Sequence, residues 1–172
     1  MAGAILAGVA AFAQIYLRTF TINYFPEYSF GSLAIFAFIE ELAKFLAVYL
    51  LVYRTKFFDE PIDGMIYMIT AAMGFAALEN IIFLFGTTAI IQTTILRFVG
   101  ATLLHAMASA ILGFYLSNKK LLLGFILATL LHTIFNFTIL NIPGSELSSI
   151  LLLVIAGFFV FNNLNIEKSR KL

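Results

Sequence analysis

Long runs of apolar residues alternate with short polar breaks along the whole chain. Each run is about as long as the roughly 20 residues with which an α-helix crosses the hydrocarbon core of a bilayer. The runs are much longer than the alternating segments of about 10 residues that form a membrane β-barrel. The pattern therefore predicts an all-α polytopic transmembrane helical bundle of about six spans. The spans are predicted near residues 3–23, 31–53, 64–86, 89–116, 121–140 and 146–164.

Composition agrees with an integral membrane protein. Hydrophobic residues make up 62% of the 172 positions and charged residues 11%, a ratio that a soluble domain of this size cannot hide in its core. Six spans with short loops use nearly the whole length, so we expect one membrane domain over residues 1–172. Cysteine is absent, which excludes thiolate metal sites and cysteine nucleophiles. With a net charge of +1, nothing indicates a nucleic-acid partner.

The charges of the loops predict how the bundle is oriented. Basic residues collect on the cytoplasmic side of membrane proteins. The predicted spans place the basic loop residues on one side, while the opposite loops carry Glu27 and Glu146. The basic residues are Arg54, Lys56, Lys119, Lys120, Lys168, Arg170 and Lys171. We therefore expect a multi-pass protein of the cell membrane, embedded in the lipid bilayer, with both termini in the cytoplasm.

Several ionisable side chains fall inside the predicted spans. A charge at the centre of a membrane helix costs about 2.5–3.5 kcal/mol, so such groups persist mainly where they are paired or functional. A helical rise of about 1.5 Å per residue places Glu40, Glu79 and His132 at overlapping depths near the midplane. Ser109 and Gly113 extend the face of His105, where small residues permit close helix approach. The polar set is Glu40, Glu41, Lys44, Glu79, Asn80, Arg97, His105, His132 and Asn136.

A structural and a functional interpretation of this set compete. Lys44 lies one helical turn after Glu40 and can form an ion pair with it. A lone intramembrane histidine can be a hydrogen-bond partner between helices, and Arg97 is expected to neutralise a glutamate. Structural pairing alone does not need three carboxylates and two histidines. Together these groups can activate water and protonate a leaving group, as hydrolysis requires, or they can carry protons through a transporter.

Four blocks of polar residues follow one another between positions 40 and 136. They are Glu40-Glu41-Leu42-Ala43-Lys44; Asp59-Glu60-Pro61-Ile62-Asp63-Gly64 with Tyr67, Gly74-Phe75 and Glu79-Asn80; Arg97 with His105-Ala106, Ser109 and Gly113; and His132-Thr133-Ile134-Phe135-Asn136. Their order and spacing resemble the PrsW family of intramembrane proteases, relatives of the CAAX-processing and bacteriocin-processing (ABI) membrane proteases. Any one block is weak support, but four in order are strong. The resemblance implies a peptide-bond hydrolase that works inside the membrane.

The resemblance also implies roles for individual residues. The implied catalytic set is Glu40, Glu41, Glu79, His105, His132 and Asn136. One of the first two glutamates, with Glu40 preferred, would activate the attacking water. The two histidines with Asn136 would position that water and stabilise the oxyanion of the tetrahedral intermediate. Glu79 would polarise a histidine or share the role of the base.

The resemblance leaves the cofactor open. Family members are described as zinc enzymes, and His105, His132 and a glutamate would make a catalytic zinc set with an open fourth position. The sequence has no His-Glu-x-x-His motif, however, and the CAAX-processing relatives are described as glutamate proteases. We therefore expect no cofactor and keep zinc as the alternative. The expected partner is a membrane-anchored protein or peptide substrate, whose identity the residues do not indicate.

Two other functions use the same residue types. One is a small proton-coupled transporter, and the other is a catalytically inactive relative that binds membrane proteins. A transporter is expected to consist of repeated halves with helices interrupted at matching positions. The one internal echo is a repeated Ala-Thr-Leu-Leu-His segment, Ala101–His105 and Ala128–His132. The two copies lie on adjacent predicted helices of opposite direction, which does not favour a stacked repeat.

Overall fold

The computed structural model describes the backbone of residues 2–85 and 90–169, and within these ranges the side chains of residues 2–4, 6, 7, 20 and 90–98 lie outside the described part. It contains the helices α1 (Ala2–Thr21), α2 (Phe30–Leu51), α3 (Asp63–Phe85), α4 (Ile90–Ser117), α5 (Leu121–Asn141) and α6 (Glu146–Ser169). The all-α prediction is confirmed. The helix bounds agree with the predicted segments within two residues, except that α6 ends at residue 169 instead of 164.

The helices pack around α4. This helix packs against α3, α5 and α6, while α1 lies against α2 and α3, and α5 also packs against α2. The α5–α6 connection turns at Gly144, whose φ of +75° is a conformation that glycine adopts without the steric cost of a side chain. Short connections keep the sequential helices antiparallel.

The outer surface of the bundle is unusually apolar for a protein in water. Large apolar side chains point outward, for example Phe12 at 76% exposed and Phe158 at 73% exposed. The interior holds a hydrophobic core of alanines and larger side chains such as Met65 and Leu112, and it also contains charged and polar side chains, among them the fully buried Glu41 and Lys44. Small residues allow helices in a bilayer to approach closely, and exposed apolar side chains are favourable where the solvent is lipid.

Four helical segments within the described residues are long and apolar enough to cross a membrane. They are Asp63–Phe85, Val99–Ser117, Leu121–Asn141 and Glu146–Ser169. The helix α2 is of similar length but carries Glu40, Glu41 and Lys44 in its middle. A membrane protein is therefore supported, while the six spans and the cytoplasmic termini stay predictions.

The helix ends meet in two groups. At one end, a Cβ atom on either Gly64 or Gly113 would collide with the backbone of the other glycine, which confirms the close approach predicted at Gly113. At the same end, Asn118 Nδ2 donates a hydrogen bond of 2.6 Å to Glu167 Oε1. At the opposite end, Asn141 Nδ2 donates to the carbonyl of Tyr28. The loops with the predicted cytoplasmic lysines thus lie at one end of the bundle.

Candidate active site

Six ionisable residues of the predicted spans meet at one place in the interior. Glu40, Glu41 and Lys44 come from α2, Glu79 from α3, His105 from α4 and His132 from α5. His132 is the twelfth of the 21 residues of α5, so it lies about 14–17 Å from either end of that helix at 1.5 Å per residue. The depth overlap predicted from helical rise is confirmed. We call these six residues the polar cluster.

Glu41 is the most enclosed member of the polar cluster. Its Oε1 accepts hydrogen bonds from Lys44 Nζ at 2.6 Å and from His132 Nδ1 at 3.0 Å. Its Oε2 accepts a hydrogen bond from Ser109 Oγ at 3.1 Å. The side chain has no exposed surface. Both oxygens of Glu41 have hydrogen-bond donors and neither is accessible to solvent, so this carboxylate is placed to position other groups rather than to bind water.

His105 is held between a cation and a carboxylate. Its Nδ1 lies 2.7 Å from Lys44 Nζ, and its Nε2 lies 2.7 Å from Glu79 Oε2. An ammonium group only donates and a carboxylate only accepts, so Nδ1 accepts from Lys44 and Nε2–H donates to Glu79. Glu79 is 35% exposed, whereas His105 is buried. Both ring nitrogens of His105 consequently have partners.

His132 has one nitrogen occupied and one that faces Glu40. Because Glu41 can only accept, His132 Nδ1 carries a hydrogen, and in the neutral ring Nε2 then carries a lone pair. Nε2 lies 3.4 Å from Glu40 Oε2, an oxygen that is buried and has no hydrogen-bond partner among the described residues. Two acceptor atoms therefore face each other across 3.4 Å.

A hydrogen bond to Oε1 holds the Glu40 side chain in place. Gln14 Nε2, on α1, donates a hydrogen bond of 2.7 Å to Glu40 Oε1. The Glu40 side chain is 12% exposed and its Oε2 lies 4.0 Å from His105 Nδ1. This hydrogen bond turns Oε2 toward the two histidines. Gln14 was not found from the sequence, because a neutral amide in a predicted span carries no charge signal.

Asn136 lies one helical turn beyond His132, and its side-chain amide makes no hydrogen bond to the described residues. It lines two cavities beside the polar cluster. The α1–α2 cavity has a volume of about 460 Å³ and also contains Gln14, Arg18, Glu27, Glu40 and Glu79. The α4–α6 cavity has a volume of about 490 Å³ and contains both histidines, Glu79 and the apolar side chains Val99, Leu104, Phe135 and Ile150. The two cavities share the lining residues Glu79, Asn136 and Leu140.

The structure brings together five of the six predicted site residues in direct contact and leaves Asn136 beside them on the cavity wall. One predicted pair is wrong, since Lys44 pairs with Glu41 and His105 rather than with Glu40. Residues three and four apart both lie on one helix face, and packing against α4 decides between them. Ser109 was expected only to allow close packing, but it also donates to Glu41. The side chain of Arg97 lies outside the described residues.

The spacing of the polar cluster could hold a metal ion. One donor atom each from Glu40, His105 and His132 lie within 4.8 Å of one another, and two histidines with a glutamate are a known catalytic zinc set. His105 does not fit this role as arranged. Lys44 occupies the lone pair of Nδ1, and Nε2 carries the hydrogen that binds Glu79. A metal would require His105 to give up one of these partners.

The chain is similar to several bacterial proteases. A family model described as PrsW family intramembrane metalloprotease matches residues 1–162. The Protease PrsW of Geobacillus kaustophilus is 35% identical over 113 residues, covering 60% of this chain and 49% of that protein. The Protease PrsW of Oceanobacillus iheyensis is 34% identical over 125 residues, covering 64% and 57%.

A longer alignment joins the chain to the Protease PrsW of Clostridioides difficile, which is 27% identical over 98% of this chain and 75% of that protein. No solved structure matches the chain. The chain spans about half the length of the first two relatives. Because the family model matches nearly the whole chain, this protein belongs to the PrsW family of intramembrane metalloproteases, as that family is described.

Proposed function

We propose that this protein is an intramembrane endopeptidase in which Glu40 activates the attacking water. The observation that carries the proposal is the pair of acceptors, Glu40 Oε2 and His132 Nε2, that face each other at 3.4 Å. A water molecule has two hydrogens and forms hydrogen bonds of about 2.8 Å, so one water can donate to both atoms. Its lone pairs then point away from these acceptors, toward a substrate carbonyl.

The side chains of this site can accept and return every proton that the hydrolysis moves. The water oxygen attacks the carbonyl carbon and its proton passes to Glu40 Oε2, while the carbonyl oxygen becomes the oxyanion. The amide of Asn136 donates a hydrogen bond to that oxyanion, where a fixed donor in a dry site is effective. When the C–N bond breaks, the proton on Glu40 passes to the leaving nitrogen. The products are a new carboxyl terminus and a new amino terminus.

The remaining members of the polar cluster act through the histidines. Glu41 holds the hydrogen of His132 on Nδ1, so that the Nε2 lone pair faces the water. Glu79 and Lys44 hold His105 beside Glu40. This mechanism needs no metal, because Glu40 and His132 bind the water and Glu40 takes its proton. His105 has no nitrogen free to bind a metal while Lys44 and Glu79 hold it. The competing mechanism uses zinc, because Glu40, His105 and His132 are the kind of side chains that bind it.

The two cavities support a membrane-associated protein substrate. An extended segment that passes from the α4–α6 cavity into the α1–α2 cavity would cross Glu79 and Asn136, next to the acceptor pair. Apolar side chains line the α4–α6 cavity, so we propose that it takes an apolar substrate side chain. The α1–α2 cavity carries the ion pair of Arg18 with Glu27 and suits the entry of water.

The test compares wild type with Glu40→Gln, an isosteric change that removes the base. Membranes from cells that express each form are labelled at protein amino termini, so that the substrate need not be known in advance. We expect new termini within membrane-protein segments with wild type only, and a loss of cleavage of about 10²–10⁴-fold for a peptide made from such a segment. A Glu40→Gln variant that cleaves like wild type would refute the role of Glu40.

The matched control is Asp59→Asn, at an exposed position in the loop between α2 and α3, which makes the same carboxylate-to-amide change away from the polar cluster. It is expected to cleave like wild type. Chelator is added to a second set of samples, with metal content measured. Unchanged cleavage supports the glutamate mechanism, whereas loss on chelation with recovery on adding zinc would replace it by a metal mechanism. Wild type that moves protons across liposomes and cuts nothing would favour the transporter.

A further inference from the structure

Lys44 is a buried cation with an unusual pair of partners. Its side chain has no exposed surface, and Nζ contacts Glu41 Oε1 at 2.6 Å and His105 Nδ1 at 2.7 Å. Nζ also lies 4.8 Å from the centroid of the Phe75 ring, where the aromatic face attracts a cation. The Glu41 contact is sufficient for charge pairing. The contact with a histidine nitrogen therefore calls for a separate explanation.

The contact determines which nitrogen of His105 is available. Lys44 uses the lone pair of Nδ1, so a metal ion cannot bind there while Lys44 stays. If a metal bound Nε2 instead, the ring hydrogen would move to Nδ1 and face the hydrogens of the ammonium group. Either geometry also brings a positive ion close to the ammonium charge, which repels it. Through both nitrogens, metal binding by His105 requires Lys44 to leave.

We infer that Lys44 is a positioning residue that takes the place of a metal ion in the polar cluster. Its ammonium group holds His105 as the Nε2–H tautomer that donates to Glu79. The same group prevents Glu40, His105 and His132 from binding a divalent cation together. The inference rests on the proposed function only in treating this cluster as the catalytic centre. Its central consequence is that removal of Lys44 creates a metal site that wild type lacks.

The experiment is a titration of the purified chain in detergent with Co²⁺, whose visible absorption reports bound histidine and carboxylate, followed by competition with Zn²⁺. The chain carries a purification tag without histidine. We expect Lys44→Met to bind Co²⁺ at least about 10-fold more tightly than wild type, because a repelling charge and a competing hydrogen bond are both removed. Lys120→Met, which makes the same change at an exposed position, is expected to match wild type.

Two further variants keep the titration decisive. Adding His132→Ala to Lys44→Met should abolish the gained affinity, because it removes a ligand. If Lys44→Met does not fold with Glu41 left unpaired, the double variant Glu41→Gln/Lys44→Met removes both charges, and it is expected to show the same gain. The inference is overturned if wild type binds the metal as tightly as these variants through His105 and His132, or if neither variant binds more tightly.

The tautomer provides a readout that does not involve metal. The chain has two histidines, so His132→Gln leaves His105 as the only ring to observe by ¹⁵N NMR. We expect the chemical shifts of a ring protonated at Nε2 and not at Nδ1. A ring protonated at Nδ1 would overturn the inference even if the titration agreed. Neither measurement depends on cleavage, so a failed Glu40→Gln test and a failed Lys44→Met test are distinguishable.

Discussion

The two Ala-Thr-Leu-Leu-His segments have the same sequence but different surroundings. In both copies the first leucine is exposed, at 44% for Leu103 and 43% for Leu130, and the second leucine is buried. The histidines are both buried, with ring centroids 5.0 Å apart. His105 has partners on both nitrogens, whereas His132 has one nitrogen bound to Glu41 and the other turned toward Glu40.

The difference between the copies comes from the neighbouring helices. The same helical periodicity gives each segment one outer and one inner face, so local sequence determines which side chains point inward. Lys44 and Glu79 then occupy the ring of one copy, and the two glutamates of α2 face the ring of the other. In the proposed mechanism, identical segments thus provide a positioning histidine and a histidine that binds the attacking water.

Among the variants that test this difference between the copies, Glu41→Gln is expected to lower the free energy of unfolding most, because it weakens the contacts that Glu41 makes with α4 and α5. It leaves the buried ammonium of Lys44 without its carboxylate, and breaking a buried ion pair on one side costs about 3–5 kcal/mol. The free energy of unfolding in detergent, measured by denaturant titration, should fall by that amount. Asp59→Asn, the exposed control, should leave it unchanged.

The double variant Glu41→Gln/Lys44→Met separates charge pairing from general damage. Removing both charges should restore most of the lost stability, because no unpaired charge stays buried. If the double variant is as unstable as Glu41→Gln alone, the ion pair is not what holds this part of the bundle together.

A second prediction compares the histidines directly. His132→Gln should reduce cleavage about 10²-fold more than His105→Gln, because only His132 offers a nitrogen to the attacking water while His105 supports it. Turnover and substrate affinity are measured for both variants at equal folded concentration. Equal losses would mean that the histidines share one task, as two metal ligands would, and would remove the functional difference between the copies.

Sequence patterns predicted the helices and the members of the polar cluster well, but not their partners. Apolar runs are bounded by clear polar breaks, and an ionisable residue such as His132 stands out within a run. The choice of Lys44 between two adjacent glutamates depends on where α4 lies, which helical spacing does not determine. Gln14 and Ser109 were missed as partners because a neutral or small side chain gives no signal until a carboxylate is placed beside it.

The smallest predicted effect concerns the threonines of the two copies. Thr102 Oγ1 accepts a hydrogen bond of 3.1 Å from Asn80 Nδ2, whereas Thr129 Oγ1 is buried with no hydrogen-bond partner among the described residues. Thr102→Val should therefore lower the free energy of unfolding by about 0.5–1.5 kcal/mol. Thr129→Val keeps the shape of the side chain and removes an unsatisfied hydroxyl, so it should be neutral or stabilising.

Each of these valine variants serves as the control for the other, because the chemical change and the position in the repeated segment are the same. Denaturant titration of both in one detergent measures the difference. A Thr129→Val variant that loses as much stability as Thr102→Val would show that the two threonine hydroxyl groups stabilise the fold equally. A difference of the expected sign would extend the asymmetry of the histidines by one helical turn and indicate that packing against different neighbours, rather than local sequence, distinguishes the copies.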